Sequence, residues 1–108
     1  MTVTNAPRSR RVLSAPSELG LPTREAFRRA ANELLDEMPE GTGELVIDLG
    51  PTRQVDSSGL GALIMIQRHA AERRLDVVLR GVGPELEYLL VLTKLDELFA
   101  FEGKARRA

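Results

Sequence analysis

The sequence lacks cysteine and tryptophan, and its only histidine is His69. The absence of cysteine excludes disulfides, thiolate nucleophiles, zinc fingers and iron–sulfur clusters. One histidine is too few for a transition-metal site built from imidazoles. The chain also has no excess charge of one sign, because 15 basic side chains are set against 16 acidic ones. Proteins that bind nucleic acid usually carry a basic excess, so we expect no nucleic-acid partner.

Long hydrophobic runs are also missing. No stretch approaches the roughly 18–20 apolar residues that a membrane-spanning helix needs. The first ten residues are polar and basic, unlike the apolar core of a secretory signal. We therefore expect no membrane insertion and a cytoplasmic location.

The two ends of the chain are basic. Residues 1–10 contain Arg8 and Arg10 and no acid, and residues 103–108 contain Lys104, Arg106 and Arg107. Segments of this kind have no apolar face to bury, so we interpret them as a mobile basic arm and a basic C-terminal tail. The domain itself is then predicted to span residues 11–102.

The remaining sequence has the composition and patterning of one folded domain. The whole chain of 108 residues is 43% hydrophobic, which is enough for a single core. Short apolar runs at residues 12–15, 45–49 and 77–79 predict strands, and residues 100–101 predict a short closing strand. The run at 45–49 is nearly unbroken, which is typical of a central strand buried on both faces.

Three helices are predicted between these strands. The first follows Thr23, its expected N-cap. The second follows Asp56, and the third begins at Pro84. Alternating strands and helices predict an α/β fold with one mostly parallel four-stranded sheet, right-handed crossovers and three to four helices. Helical spacing predicts that the first helix buries Phe27, Ala30, Ala31, Leu34 and Met38, and that the third buries Leu86, Leu89, Leu90, Leu95 and Leu98.

Catalytic and cofactor-binding motifs are not recognisable. The segment from Gly81 to Gly83 starts like a dinucleotide-binding loop, but Leu86 stands where the third glycine is needed. His69 is too far along its helix, roughly 16–18 Å, to act as a base for Ser57 or its neighbour. Asp48 and Asp56 are interpreted as surface or capping residues. We therefore predict a protein that is not an enzyme and needs no cofactor.

The segment Asp56-Ser57-Ser58-Gly59-Leu60-Gly61 is unusual for a helix start. A cap needs one hydroxyl or carboxylate, and here three follow one another. Each glycine also costs up to about 1 kcal/mol of helix stability relative to alanine. Two interpretations stay open on composition alone: a capped helix that packs tightly on the sheet, or a docking surface that a partner approaches closely.

The same six residues resemble the signature of STAS domains, in particular of bacterial anti-sigma factor antagonists. Residues 89–99 are similar to the last helix of that family and the turn after it, and the resemblance covers roughly residues 12–102. It implies that the last helix ends near Leu92 instead of continuing to Leu98.

The resemblance also implies a phosphorylation switch. The unmodified antagonist binds an anti-sigma factor, often a serine protein kinase, and so frees a sigma factor. The kinase phosphorylates the serine after the aspartate of the motif, which corresponds to Ser57, and a PP2C-type phosphatase reverses the step. The predicted partner-binding residues are Asp56, Ser58, Gly59, Leu60, Gly61, Leu63 and Ile64.

Some positions depart from the family pattern. The family commonly starts with a two-strand hairpin, whereas only one strand is evident before residue 16, so the first strand is missing or displaced into the arm. The usual Gly-Glu-Leu-Asp reads Ser17-Glu18-Leu19-Gly20, and Lys94 stands at the glycine position of the final turn. An exposed sheet edge left by a missing strand could pair with a second copy and give a homodimer. An alternative function on the same fold is the STAS accessory subunit of a phospholipid-transporting ABC complex.

Overall fold

Residues 9–102 are the part of the chain that this computed structural model describes. Within them, four strands form one sheet in the order β1-β3-β5-β6, with every neighbouring pair parallel. The predicted α/β fold with a parallel four-stranded sheet is therefore confirmed. The elements in chain order are β1 (Ser9–Ser14), β2 (Glu18–Leu19), α1 (Arg24–Glu37), β3 (Gly43–Asp48), β4 (Gln54–Val55), α2 (Ser57–Glu72), β5 (Asp76–Arg80), α3 (Pro84–Leu92), a 3₁₀ turn (Asp96–Leu98) and β6 (Ala100–Glu102).

Strand β3 is central, as its apolar run predicts. It pairs with β1 on one side and β5 on the other, so its backbone hydrogen bonds are made within the sheet. Leu45, Val46 and Ile47 are all fully buried, although Val46 points to the face opposite its two neighbours. A strand covered on both faces needs apolar residues at every position, which explains the unbroken run.

The three α-helices pack on one face of the sheet. Each crossover from one strand to the next moves in the same direction across the sheet, and right-handed crossovers then place their helices on one side. The core between helices and sheet joins the buried side chains Leu35 of α1, Leu63 and Ile66 of α2, Leu90 of α3, and Leu45, Ile47 and Leu79 of the sheet.

Helix α1 differs from its prediction in phase. Leu35, which the prediction omits, is fully buried, whereas Leu34 is only half-buried. The buried residues are 27, 31, 35 and 38. The buried face of the helix is therefore shifted by one residue, from Leu34 to Leu35, relative to the predicted one. Thr23 occupies the N-cap position as predicted but makes no side-chain cap bond. Its hydroxyl instead donates to the Glu18 carbonyl oxygen at 2.7 Å, tying the start of α1 to β2.

The C-terminal helix ends early, as the family resemblance implies. Helix α3 stops at Leu92, and the chain reverses at Lys94, which has a φ of 63°. The prediction that Leu98 lies on an inner helix face is wrong, because its side chain is 39% exposed in the 3₁₀ turn. Phe99 is buried in its place, since the turn breaks the helical spacing before the chain enters β6.

The short strands β2 and β4 form a second parallel pair that the sequence pattern does not reveal. Glu18 pairs with Gln54 and Leu19 pairs with Val55. This pair holds the segment after β1 against the connection that leads into α2. It therefore places residues 19 and 20 beside the candidate site.

The predicted boundaries at the chain ends need one correction. Ser9 and Arg10 belong to β1, so the folded part begins before residue 11. The predicted arm, tail and displaced first strand otherwise concern residues 1–8 and 103–108, which lie outside the described residues. Among the described strands β1 pairs with β3 alone, and pairing of its other edge with a second copy stays a prediction. Across residues 9–102, the helices lack the length and apolar character needed to cross a bilayer.

Candidate functional site

The start of α2 is built around Asp56. Asp56 has an extended backbone, and its Oδ1 accepts a hydrogen bond from the Gly59 amide at 2.9 Å. Its carbonyl oxygen accepts from the Leu60 amide, which begins the helical ladder. Asp56 therefore supplies the side-chain cap, and Ser57, the exposed first residue of α2, is not needed for it.

Gly59 lets α2 approach β2 closely. A Cβ at this position would overlap the carbonyl oxygen of Leu19 and lie 2.7 Å from its carbonyl carbon. The Asp56 amide donates to the same carbonyl oxygen at 3.2 Å, which holds the start of α2 against β2. Gly59 is thus a packing requirement of the fold.

Gly20 makes room for the capping carboxylate. A Cβ at residue 20 would meet the Asp56 carboxylate, with Cγ at 2.8 Å. The resemblance places an acidic residue of the family at this position. With the Asp56 carboxylate in this position, there is no space for a side chain at residue 20. Of positions 20 and 56, only position 56 therefore carries an acidic side chain here.

An exposed stripe runs along α2 from its first residue. We define the α2 stripe as Ser57, Gly61, Ile64 and Met65: Gly61 follows Ser57 by four residues, and Ile64 and Met65 follow Gly61 by three and four, which places them on one side of the helix. Met65 is 49% exposed, and a Cβ at Gly61 would have no atom within 4 Å. Met65 is not among the partner-binding residues predicted from the sequence. Its place four residues after Gly61 and eight after Ser57 was the signal available to find it.

The structure divides the predicted partner-binding residues into two groups. Asp56 is exposed, and Ser58, Leu60, Gly61 and Ile64 are half-buried. Two others are buried: Gly59 packs on β2, and Leu63 is fully enclosed in the core. Leu60 also packs partly against that core.

A cleft of about 810 Å³ opens beside the start of α2, between the β3–α2 connection and α3. Its walls are mainly apolar, and Arg53, Asp56 and Glu85 bring charges to its lining. The cleft connects the surroundings of Asp56 with the first two turns of α3. Its lining includes Leu49, Val55, Leu86, Tyr88 and Leu89.

Asp48 and His69 take part in structural contacts. Asp48 Oδ1 accepts from the Gly50 amide at 2.9 Å, which confirms with Asp56 the predicted surface or capping roles. His69 Nε2 lies 2.7 Å from Asp36 Oδ1 and joins α2 to α1, about 18 Å along the helix from Ser57. Residues 9–102 contain no cluster of three or more His, Asp or Glu that could hold a metal ion.

These features define a small α/β domain with one parallel sheet, helices on one face and an exposed helix start beside a cleft. A family sequence model described as "Mlab, STAS domain" matches residues 2–100. The chain therefore belongs to the STAS domain family.

Individual proteins of known sequence or structure resemble the chain to different extents. A STAS-domain containing protein of Pseudomonas aeruginosa is 32% identical over 54 residues, which are 50% of this chain and 54% of that protein. The chain thus spans about half the length of this curated relative. A candidate anti-sigma factor antagonist of Thermotoga maritima has a TM-score of 0.70 at 20% identity, over 83% of this chain and 77% of the other.

A transporter domain shares the same fold. The STAS domain of a SulP transporter from Vibrio cholerae has a TM-score of 0.67 at 18% identity, over 90% of this chain and 76% of the other. At these low identities the structural similarities establish the common fold and leave the function to be argued from the site.

Proposed function

We propose that the chain is a non-catalytic protein-binding switch of the anti-sigma factor antagonist type, acting in the cytoplasm. In its unphosphorylated form it binds an anti-sigma factor that is also a serine kinase, through the α2 stripe. Phosphorylation of Ser57 releases that partner. The observation that carries the proposal is the exposed position of Ser57 as the first residue of α2, with the cap supplied by Asp56.

A phosphate at Ser57 is compatible with the fold. The amides at a helix N-terminus and the helix dipole favour an anion there, and Ser57 has no capping role to lose. The modified side chain would carry about −1.5 to −2 charges at pH 7. We therefore expect α2 to stay folded when Ser57 is phosphorylated.

The same phosphate would change the surface that a partner meets. The α2 stripe continues from Ser57 to Gly61, Ile64 and Met65, which carry no charge. A partner that covers this stripe would have to remove water from a dianion, and a buried charge without a partner is costly. Asp56 adds a second negative charge next to Ser57. Release of the partner therefore follows from local electrostatics.

The chemistry of the switch is supplied by the other proteins. The kinase transfers the γ-phosphoryl group of ATP to the Ser57 hydroxyl and releases ADP, and the hydroxyl proton passes to a base of the kinase. A PP2C-type phosphatase hydrolyses the ester and restores the hydroxyl. In this scheme the chain provides an accessible hydroxyl and an acidic neighbour, Asp56. The proposal is supported by the fold that the chain shares with the Thermotoga maritima protein, which is named as a candidate anti-sigma factor antagonist.

The test uses the cognate anti-sigma kinase and four forms of the protein: wild type, Ser57→Ala, Ser57→Asp and Ser58→Ala. We expect Ser57→Asp to bind the kinase at least about 10-fold more weakly than wild type, a difference of roughly 1.4 kcal/mol. Ser57→Ala should bind like wild type and accept no phosphate from labelled ATP. Ser58→Ala is the matched control and should still be phosphorylated. Equal affinity of wild type and Ser57→Asp would overturn the proposal.

A second candidate function is an accessory subunit of a transporter, such as a phospholipid-transporting ABC complex. The family description "Mlab, STAS domain" and the shared fold of the SulP transporter domain favour it. In that role the α2 stripe would contact an ATPase subunit, and Ser57 would act as a contact residue without being modified. Copurification with an ATPase subunit, together with unmodified Ser57 by mass spectrometry, would favour this function over the first.

A further inference from the structure

Helix α3 exposes apolar side chains on its outer side. Tyr88, Val91 and Leu92 are 69%, 55% and 64% exposed, and their spacing of three and four residues places them on one face. We call these three residues the α3 surface. The opposite side of the helix holds Leu90, which is fully buried. A helix that is apolar on nearly all sides is normally covered on all sides, so the outer side has the character of an interaction surface.

The α3 surface is distinct from the α2 stripe. The cleft beside the start of α2 is lined by Tyr88 and by Asp56, and its lining contains none of the four residues of the α2 stripe. Only the inner part of α3 belongs to the core, through Leu90 with Leu86 packed partly against it. The outer side chains therefore make up a second surface, and substitutions there leave the start of α2 in place.

Acidic residues flank the α3 surface. At about 100° per residue, Glu85 and Glu87 fall on opposite borders of the stripe formed by Tyr88, Val91 and Leu92. Residues 84–98 contain four acidic side chains and one basic side chain, Lys94. The apolar stripe is thus set in a negatively charged segment.

We propose that the α3 surface docks an amphipathic helix of a partner protein whose apolar stripe is flanked by lysine or arginine. Apolar residues at this spacing form the rows of side chains through which one helix packs against the apolar face of another. The acidic borders select basic flanks by charge complementarity. A second copy of this chain would bring its own acidic borders into the interface, and an anionic membrane would be repelled. The proposal requires neither phosphorylation of Ser57 nor an anti-sigma factor.

The probe is a synthetic helical peptide with a leucine stripe flanked by lysines, titrated into the ¹⁵N-labelled protein. The matched peptide has glutamate in place of each lysine. We expect the lysine peptide to shift the amide signals of residues 84–95 and to bind more weakly as salt rises. The glutamate peptide should bind at least about 10-fold more weakly. Binding of both peptides with equal affinity, or of neither, would overturn the proposal.

Variants locate the binding to α3. Tyr88→Ser and Val91→Ser change exposed side chains, and each should weaken lysine-peptide binding at least fivefold. Glu85→Lys should also weaken it, and Ser57→Asp should leave it unchanged. Shifts confined to the start of α2 would contradict the proposal and would point to the first site. Concentration-dependent dimerisation that is lost in Val91→Ser, or flotation with anionic vesicles, would contradict it in favour of those occupants.

Discussion

Gly59 and Gly61 lie two residues apart in α2 and have opposite surroundings. Gly59 is buried against the Leu19 carbonyl, where a Cβ would collide with backbone. Gly61 faces open space, and a Cβ there would touch nothing within 4 Å. The first glycine is explained by the fold. Packing within the described residues does not explain the second; under the proposed function it leaves space for a partner one turn after Ser57.

We predict that alanine at these two positions changes stability in opposite directions. Gly61→Ala should raise the free energy of unfolding by about 0.5–1 kcal/mol, because it removes the helix cost of glycine. Gly59→Ala should lower it by about 1–3 kcal/mol or more, because the overlap with Leu19 forces the helix away from β2. Urea unfolding of the two variants and wild type measures both effects. A loss of stability in Gly61→Ala would contradict the assignment of its surroundings.

The position of Ser57 at a helix start is predictable from the sequence, but the burial around it is not. Asp56 and the polar residues after it indicate a cap directly. The burial of Gly59 depends on β2, which is about 40 residues earlier in the chain and too short to show periodicity, and the burial of Leu63 depends on the core that α2 shares with the sheet. The predicted partner-binding residues therefore include two that the structure buries, and they leave out the exposed Met65.

At the scale of elements, α2 and α3 end in the same way. The Lys94 amide donates to the Val91 carbonyl oxygen and the Leu95 amide to that of Leu90, which together form a Schellman motif. Helix α2 repeats it, with Arg74 donating to Ala71 and Leu75 to Ala70. The left-handed residue is Lys94 in one motif and Arg74 in the other, with φ values of 63° and 57°. Glycine is the usual residue at this position, so both ends carry backbone strain.

We predict that Lys94→Gly stabilises the protein by about 1 kcal/mol, because glycine adopts a positive φ without the steric cost of a Cβ. Part of the gain is offset by loss of a cation near the C-terminus of α3. Thermal and urea unfolding of the variant and wild type measure the net effect. Lys94→Ala is the control: it removes the charge, retains the Cβ and should not stabilise. Equal stability of the glycine and alanine variants would contradict the argument.

The helices and strands that can be predicted from the sequence are those with strong hydrophobic periodicity or clear boundary residues. The apolar run of β3, the spacing within α1 and Pro84 at the start of α3 are examples. The one-residue shift of the inner face of α1 arises because Leu34 and Leu35 are adjacent, and spacing alone does not decide which is buried. The two-residue strands β2 and β4 exist only through their mutual pairing and support from α2, which local patterns do not encode.

At the scale of the whole molecule, an ionic network links the two edge strands of the sheet. Arg10 of β1 contacts Glu44 of β3 at 3.1 Å and Glu102 of β6 at 2.6 Å. Arg80 of β5 also contacts Glu102, at 3.3 Å. By strand register these side chains lie on the face opposite the helices, where Val46 is buried. Residues 92 positions apart in sequence are thereby joined, a contact that no local pattern indicates.

We predict that Glu102 stabilises the folded protein at neutral pH and that this contribution is lost in acid. The hydrogen bond from Arg10 holds the pKa of the Glu102 carboxyl below its ordinary value of 4.5, with further help from the charges of Arg10 and Arg80 and against partial desolvation. Because the folded-state pKa is lower than the unfolded one, the stabilisation is fully present above about pH 4.5 and is lost as the pH falls through the folded-state value.

Urea unfolding of wild type and Glu102→Gln at a series of pH values from 7 to 3 tests this. Wild type should be more stable at pH 7, and the difference should shrink below about pH 4.5, where the carboxylate becomes protonated and resembles the amide. The difference at pH 7 should also shrink in 1 M salt, because the side chains are partly exposed and screened. Glu97→Gln, which changes an exposed carboxylate outside this network, serves as the control. A stability difference for Glu102→Gln that stays constant from pH 7 to 3 would show that the effect comes from packing of the side chain and not from its charge.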